Sequence, residues 1–429
     1  MGRYKQINLS KGAKLYYVKN NITKSTAVKI VFACGSRVDT IPGLAHFTEH
    51  MFFTGTKTMT KEQVTKKYFD FIGTNAATSS KEIFFDGNVF TKEFEEYVKT
   101  VAMLITESTF KQKEIDKEIP VVQQEIARKK DKFNILSSNK NLLNITNLCS
   151  YDYYGALGTE ESVASIKSKD VKNYVKKYFI ANNMKVYITS PLSLNKVKSI
   201  IEKHLVSKLP VDEKFEQLPL FEDYVKNETF KHLESKNIGK NYIYINFKND
   251  HNLYDFKYRA KVSLLLDMMN DVATGVMKML REERSLVYSS RFYTDFRNDK
   301  ESLISFYTEC ATKNVNPVIE TIAEYFEKIG KVGFTEDQLK QAKRSDKYNQ
   351  DTKEPTVYRD LWQLKDFDYY GRVLKREIPK LMKKVALEEC NELFKEIFLH
   401  NKISYTVYGD IKKEDLISDK KFDELFIKD

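Results

Sequence analysis

Cysteine is scarce: Cys34, Cys149, Cys310 and Cys390 lie far apart in 429 residues, with no CxxC pair. Thiolate zinc sites and a disulfide-stapled scaffold are therefore not expected, and the usage suits a reducing compartment. Apolar runs are short. None approaches the roughly 20 residues a membrane span requires, so neither a transmembrane chain nor a membrane partner is expected. The opening MGRYKQINLSKG has no apolar signal core, and its sixth residue is Gln rather than the Ser or Thr of a myristoylation signal. No acidic residue precedes Asp39, as in a transit peptide, but Lys14 to Lys19 already reads as a first strand. A cytoplasmic location is expected. With only 15 Gly and 8 Pro, low-complexity classes fall away as well.

What the chain does hold is core-forming material: 41% hydrophobic residues, including 28 Phe and 26 Tyr. That excludes disorder, and a chain of this length exceeds one ordinary core, so two domains of about 200 residues are expected. The net charge of +11 invites a nucleic-acid reading. The lysines are scattered along every helical segment, however, without a basic aromatic stripe, and no nucleic-acid partner is expected.

The clearest linker is PVDEKFEQLPLFEDYVKNETF, with two prolines and an acidic bias in a basic chain. It suggests domains at 1–212 and 231–429 joined by residues 213–230. The two halves read alike. The first has strand-like runs from Ala13, Ala27, Ile83 and Lys185, with helical patterns at 43–53, 60–72, 91–107, 111–130 and 168–178. The second has strands from Tyr242, Leu286, Ser302 and Ile403, with helices near 256–283, 314–329 and 335–349. Phe110 is followed five residues later by Ile115, and Phe334 five later by Leu339, each pair opening a long charged helix. Such an echo points to duplication. Short turns between adjacent strands, as at Asp295 to Lys300, favour a mixed, mainly antiparallel sheet with helices packed on one face. The expected class is α+β in each half.

The chemistry concentrates in IPGLAHFTEHMFFTGT, which holds His46, Glu49 and His50. Residues i, i+3 and i+4 share a helix face, so the three side chains converge. Two imidazoles one turn apart can grip one zinc ion, and a carboxylate between them can reach a metal-bound water. With six His in the chain, this order would arise by chance in roughly one such sequence in a hundred or two. Zinc needs a third protein ligand if water is to occupy the fourth position. KEIDKEIPVVQQEIARKK offers Glu114, Glu118 and Glu125, of which the last two are seven apart and share a face. Spacing leaves open which of them ligates and which supports a His from behind.

The His-x-x-Glu-His order followed about 75 residues later by a glutamate resembles the inverzincin signature of the pitrilysin family of zinc metallopeptidases. That family includes insulin-degrading enzyme and the mitochondrial processing peptidase. Matching text runs through SRVDTIPGLAHFTEHMFFTGT, GTNAATSSKEIFFDGNVF, KEIPVVQQEI and GALGTEESVASIKSKDVKNYVKKYFIANNMKVYIT, and MLREERSLVYSS in the second half is similar to the family's Arg-plus-seven-Tyr segment. The resemblance implies a half-clamshell of two homologous α+β domains binding one zinc per chain. It implies His46, His50 and Glu125 as ligands, Glu118 as the supporting glutamate and Glu49 as the general base in peptide-bond hydrolysis. Asn75, Ala76 and Thr78 match the edge strand to which an extended peptide adds. Arg281 and Tyr288 match the pair that steadies the substrate carbonyl. Because one chain carries both signatures, a homodimer, or a heterodimer with a paralogous chain, is expected to bring the second pair to the zinc of its partner. Two features depart from the family. MMNDVATGVMKMLREERS replaces the glycine-rich loop of the processing peptidase's partner subunit, which argues against presequence cleavage, and the loop before Asn75 is a residue or two short. The rival expectation is a non-catalytic structural subunit.

Overall fold

The structure is a computed structural model that describes residues 3–22, 24–132, 156–216, 231–235, 238–249, 251, 255–296, 302–352, 356–399 and 403–426. These fall into two compact units. The first takes in the described residues up to 216 together with 356–373, and the second takes in those of 231–352 and 374–426. Most of the expected linker, the 297–300 turn, Cys149 and His400 lie outside the described residues. Among the described residues no helix is long and apolar enough to cross a membrane.

The first unit is built on β1 (Tyr4–Asn8), β2 (Lys14–Lys19), β3 (Ser25–Phe32), β4 (Thr74–Thr78), β5 (Ile83–Phe90) and β6 (Met184–Ser190). Their order is β1-β2-β6-β3-β5-β4. Only β2 and β6 run parallel; every other neighbouring pair is antiparallel. The strand β5 alternates: Ile83, Phe85 and Val89 enter the core while Phe84, Asp86 and Asn88 face the other way. One face of the sheet is covered by α1 (Leu44–Met51), α2 (Lys61–Phe69), α3 (Phe94–Glu107), α4 (Gln112–Lys132) and the helices Ser168–Tyr178 and Leu194–His204. Their apolar stripes form one continuous cluster with the sheet, including Phe47, Phe52, Phe85, Val101 and Ile115.

A further helix, Val357–Tyr370, lies on the opposite face. It buries Val357, Leu361 and Leu364 against Tyr16, Val18, Val31 and Tyr187. Its charges are paired where they are buried, as desolvation demands. Lys365 meets Glu82 at 2.8 Å, and Lys29 meets the same carboxylate at 3.1 Å. Asp368 accepts from Lys185 and Tyr187, each at 2.7 Å. Burial on both faces explains why β3 reads as the near-continuous apolar run AVKIVF rather than as an alternation.

The second unit repeats the plan with β7 (Lys231–Ser235), β8 (Asn241–Asn249), β9 (Ser290–Phe296), β10 (Ser302–Cys310) and β11 (Ile403–Gly409). The order β7-β11-β8-β10-β9, with only β7 and β11 parallel, reproduces β2-β6-β3-β5-β4 strand for strand. The four echo residues Phe110, Ile115, Phe334 and Leu339 are all buried. The fold is thus α+β with mixed sheets, as the pattern predicts. Two boundaries differ most from the sequence reading. The helix expected over 256–283 stops at Asn270, where Asp271 turns back to accept the N–H groups of Ala273 and Thr274. The strand expected from Leu286 starts only at Ser290, because a π-helical turn over Lys278–Glu283 and a left-handed Ser285 (φ 52°) precede it.

Candidate metal centre

The helix α1 is placed by three contacts. Gly43 at its N-terminus has φ +90°, and a Cβ there would lie 2.4 Å from the Leu157 carbonyl oxygen. Asp39 accepts the N–H groups of Gly43 and Ala45 at 3.0 and 2.9 Å, satisfying donors that a helix start leaves open. Leu44, Phe47 and Met51 are buried, so the apolar face is committed to the core. The remaining face carries His46, Glu49 and His50, with the two imidazole centroids 4.6 Å apart.

The helix α4 crosses this face. Glu125 Oε2 lies 3.7 Å from Nε2 of both His46 and His50. One donor atom from each of these three residues falls within 4.8 Å of the others. Two turns earlier, Glu118 Oε1 meets His50 Nδ1 at 3.0 Å, and its other oxygen accepts from Lys61 Nζ at 2.6 Å. Glu114 pairs with Lys117 on the surface, outside the group. Two imidazoles and a carboxylate form a donor set suited to zinc. The structure brings His46, His50 and Glu125 together, with Glu118 behind one imidazole.

Electrostatics follow from burial. Glu49 is buried, which pushes its carboxyl up; the His50 charge and the Thr78 hydroxyl, donating at 3.0 Å, oppose that push without cancelling it. Burial also pulls the His50 imidazolium down, but its bond to Glu118 and the charges of Glu49, Glu118 and Glu125 outweigh this and raise it. For Glu118, burial is outweighed by the bonds to His50 and Lys61, and its carboxyl sits below the usual range. Asp39 is pushed up to about 8, chiefly by burial, against the pull of its backbone donors.

The expected substrate residues divide between the units. Asn75, Ala76 and Thr78 belong to β4, which is the last strand of its sheet. Asn75 is exposed, its carbonyl held by Tyr68 OH at 2.7 Å, whereas the Thr78 hydroxyl is engaged with Glu49. Arg281 and Tyr288 lie in the second unit, on the π-helical turn and just before β9. The guanidinium carbon is 5.2 Å from the ring centroid of Tyr288, which is 80% exposed. They line a cavity of about 690 Å³ with Lys240 and Glu309. Sequence reasoning missed Lys61 and Asp39. The one signal for Lys61 was a cation in the first turn of a helix, where acidic residues are favoured.

A family model described as Insulinase (Peptidase family M16) matches residues 15–147, and one described as Peptidase M16 inactive domain matches residues 165–345. A Bacillus subtilis protein named "Uncharacterized zinc protease YmxG" is 25% identical over 355 residues, covering 79% of this chain and 81% of its own length. A Helicobacter pylori protein named "Non-peptidase homolog YmxG" is 23% identical over 337 residues, covering 76% of this chain and 74% of its own. The crystal structure of a Pseudomonas fluorescens peptidase M16 inactive domain superposes with a TM-score of 0.82 at 16% identity, covering 96% of this chain and 99% of that one. That last likeness is one of fold alone.

Proposed function

The chain belongs to the M16 peptidase family, and from that premise we propose that it is a zinc-dependent endopeptidase acting on unfolded peptides. The observation that carries this reading is the convergence of His46, His50 and Glu125 within 4.8 Å, beside the buried carboxyl of Glu49. When bound there, zinc supplies a Lewis acid that polarises a carbonyl and lowers the pKa of water from 15.7 toward about 7. The protein's own groups do the rest. Glu118 accepts the Nδ1 proton of His50 and so fixes the tautomer that leaves Nε2 facing Glu125. The Thr78 hydroxyl holds one oxygen of Glu49, leaving the other to take a proton from the attacking water and pass it to the leaving amine. A carboxyl raised by burial suits that exchange near neutral pH. The open edge of β4 offers main-chain groups to an extended peptide.

Arg281 and Tyr288 are assigned to steadying the substrate carbonyl of the site in a partner chain, so the working unit is a homodimer. A heterodimer with a paralogous chain is the variant of this assignment. The location is assigned to the cytoplasm. Among relatives, the Helicobacter pylori protein named a non-peptidase homologue supports a second reading, a structural subunit without activity.

The deciding experiment measures turnover of a long, quenched, unstructured peptide by wild type and Glu49→Gln, each with its zinc assayed. Cleavage by wild type, its arrest by a chelator, and a zinc-loaded but inert Glu49→Gln are expected. Two zinc-loaded proteins of which neither cleaves would overturn the homodimeric peptidase reading in favour of either one half of an obligate heterodimer or the structural subunit.

A further inference from the structure

The side of the first sheet that faces away from α1 has a chemistry the zinc site does not use. Along β4, Ala76 turns inward against the core, so Asn75 and Ala77 project to the opposite face. The cross-strand partner of Ala77 is Phe84, which packs on that face with Tyr358. Lys29 Nζ lies 3.2 Å from the Phe84 ring centroid and 5.3 Å from that of Trp362. Tyr358 OH donates to the Gly73 carbonyl at 3.3 Å, tethering the outer helix to the start of β4. Trp362 is the chain's single tryptophan, and it is 57% exposed.

Three physical points turn this into a recognition surface. Lys29 is buried and paired with Glu82, a carboxylate it shares with Lys365, and its ammonium lies against the Phe84 ring, so the shelf presents rings backed by paired cations. The indole, with the Lys29 and Lys365 ammonium groups 5.3 and 5.6 Å from its ring, stays exposed on a helix whose neighbours Leu361 and Leu364 are buried, and offers apolar area to an incoming side chain. Ala77 is the decisive gap. On a strand added to β4, the residue opposite Ala77 would have its Cβ about 5 Å away, and only a methyl group would separate it from Phe84. A short side chain there would reach nothing. A long apolar one would cross Ala77 and lie on the shelf.

We propose that Ala77, Phe84, Tyr358 and Trp362 form a specificity subsite that selects a large apolar or aromatic side chain, at the outward-facing position opposite Ala77, in an extended peptide paired with β4. The inference rests on the reading that peptides add to this edge, and its test separates the two. The test uses zinc-loaded full-length Glu49→Gln and matched peptides bearing Phe or Ala at each position in turn. Binding is read by anisotropy of a labelled peptide and, separately, by emission of Trp362 with unlabelled peptide. One Phe position is expected to bind about tenfold more tightly than its Ala counterpart and to shift the tryptophan emission to the blue. In otherwise wild-type enzyme, Trp362→Ala and the gap-filling Ala77→Tyr are each expected to lower the Phe-to-Ala ratio of kcat/KM about tenfold. Binding with unchanged emission, or an unchanged ratio in both variants, would overturn the subsite while leaving edge-strand addition intact. Absence of peptide binding to Glu49→Gln would sink the edge-strand reading and the subsite with it.

Discussion

At the scale of single residues, the proposed chemistry rests on one carboxyl and on what holds an imidazole still. Glu49→Gln removes a proton acceptor while keeping shape, and kcat should fall by about 10²–10⁴ with zinc retained, as checked by metal analysis alongside turnover. Glu118→Gln is different in kind. It keeps a hydrogen-bonding group on His50 Nδ1 but loses the charge that Lys61 anchors. Zinc affinity should drop about 10–100-fold, measured by competition with a chromophoric chelator. A Glu118→Gln protein with unaltered affinity would remove that glutamate from the metal's support. The motif residues were legible in the sequence because helical spacing alone puts i, i+3 and i+4 on one face. Spacing could not choose among Glu114, Glu118 and Glu125, since all three lie on one Lys-rich helix. Only the crossing of α4 over α1 separates them, with Glu125 3.7 Å from both imidazoles and Glu114 paired with Lys117.

At the scale of elements, the start of α1 carries the burden of aiming the site. Gly43→Ala would force a left-handed backbone on a residue with a Cβ and drive that Cβ into the Leu157 carbonyl. Strain of this kind costs roughly 1–3 kcal/mol, and the urea midpoint should fall accordingly. Asp39 adds a pH dependence whose sign follows from its position. Its carboxyl is held up to about 8 in the folded chain, against roughly 3.9 unfolded, so between those values the native state binds the extra proton. The stability it contributes is complete below the unfolded value and is lost as pH rises toward the folded one. Urea unfolding at pH 5 and pH 8 should show that decline, and Asp39→Asn should flatten it. The strands were mostly legible from β-branched and aromatic runs, and the helix Ser168–Tyr178 falls where its apolar period placed it. The end of the helix at Asn270 was not, because Asp271 and Gly275 close a turn whose cause is a side-chain hydrogen bond and a glycine with no room for a Cβ beside Met269.

At the scale of the whole molecule, the described residues of each chain hold one donor cluster and the Arg281–Tyr288 pair, and the homodimer proposal makes a mixing prediction. Glu49→Gln and Arg281→Ala should each be nearly inactive alone. Equal amounts, allowed to exchange, should regain about a quarter of wild-type activity, since half the dimers are mixed and each holds one intact site. No recovery, with exchange demonstrated by mass photometry, would place both signatures in the same chain's reaction or remove the pair from it. Duplication was visible in the sequence as two halves with like runs of strands and helices and as the Phe110 and Phe334 echo. The two sheets state it fully, in five strands of the same order and direction.

The sequence by itself determined that His46, Glu49 and His50 share one helix face and that the class is α+β, because both depend on local periodicity: 3.6 for the motif helix, 2 for the strands. Tertiary structure decided which glutamate closes on the imidazoles, that Thr78 serves Glu49, and that residues 357–370 cover the far face of the first sheet. These are contacts between segments tens to hundreds of residues apart, and their energies come from desolvation and pairing that no single segment contains.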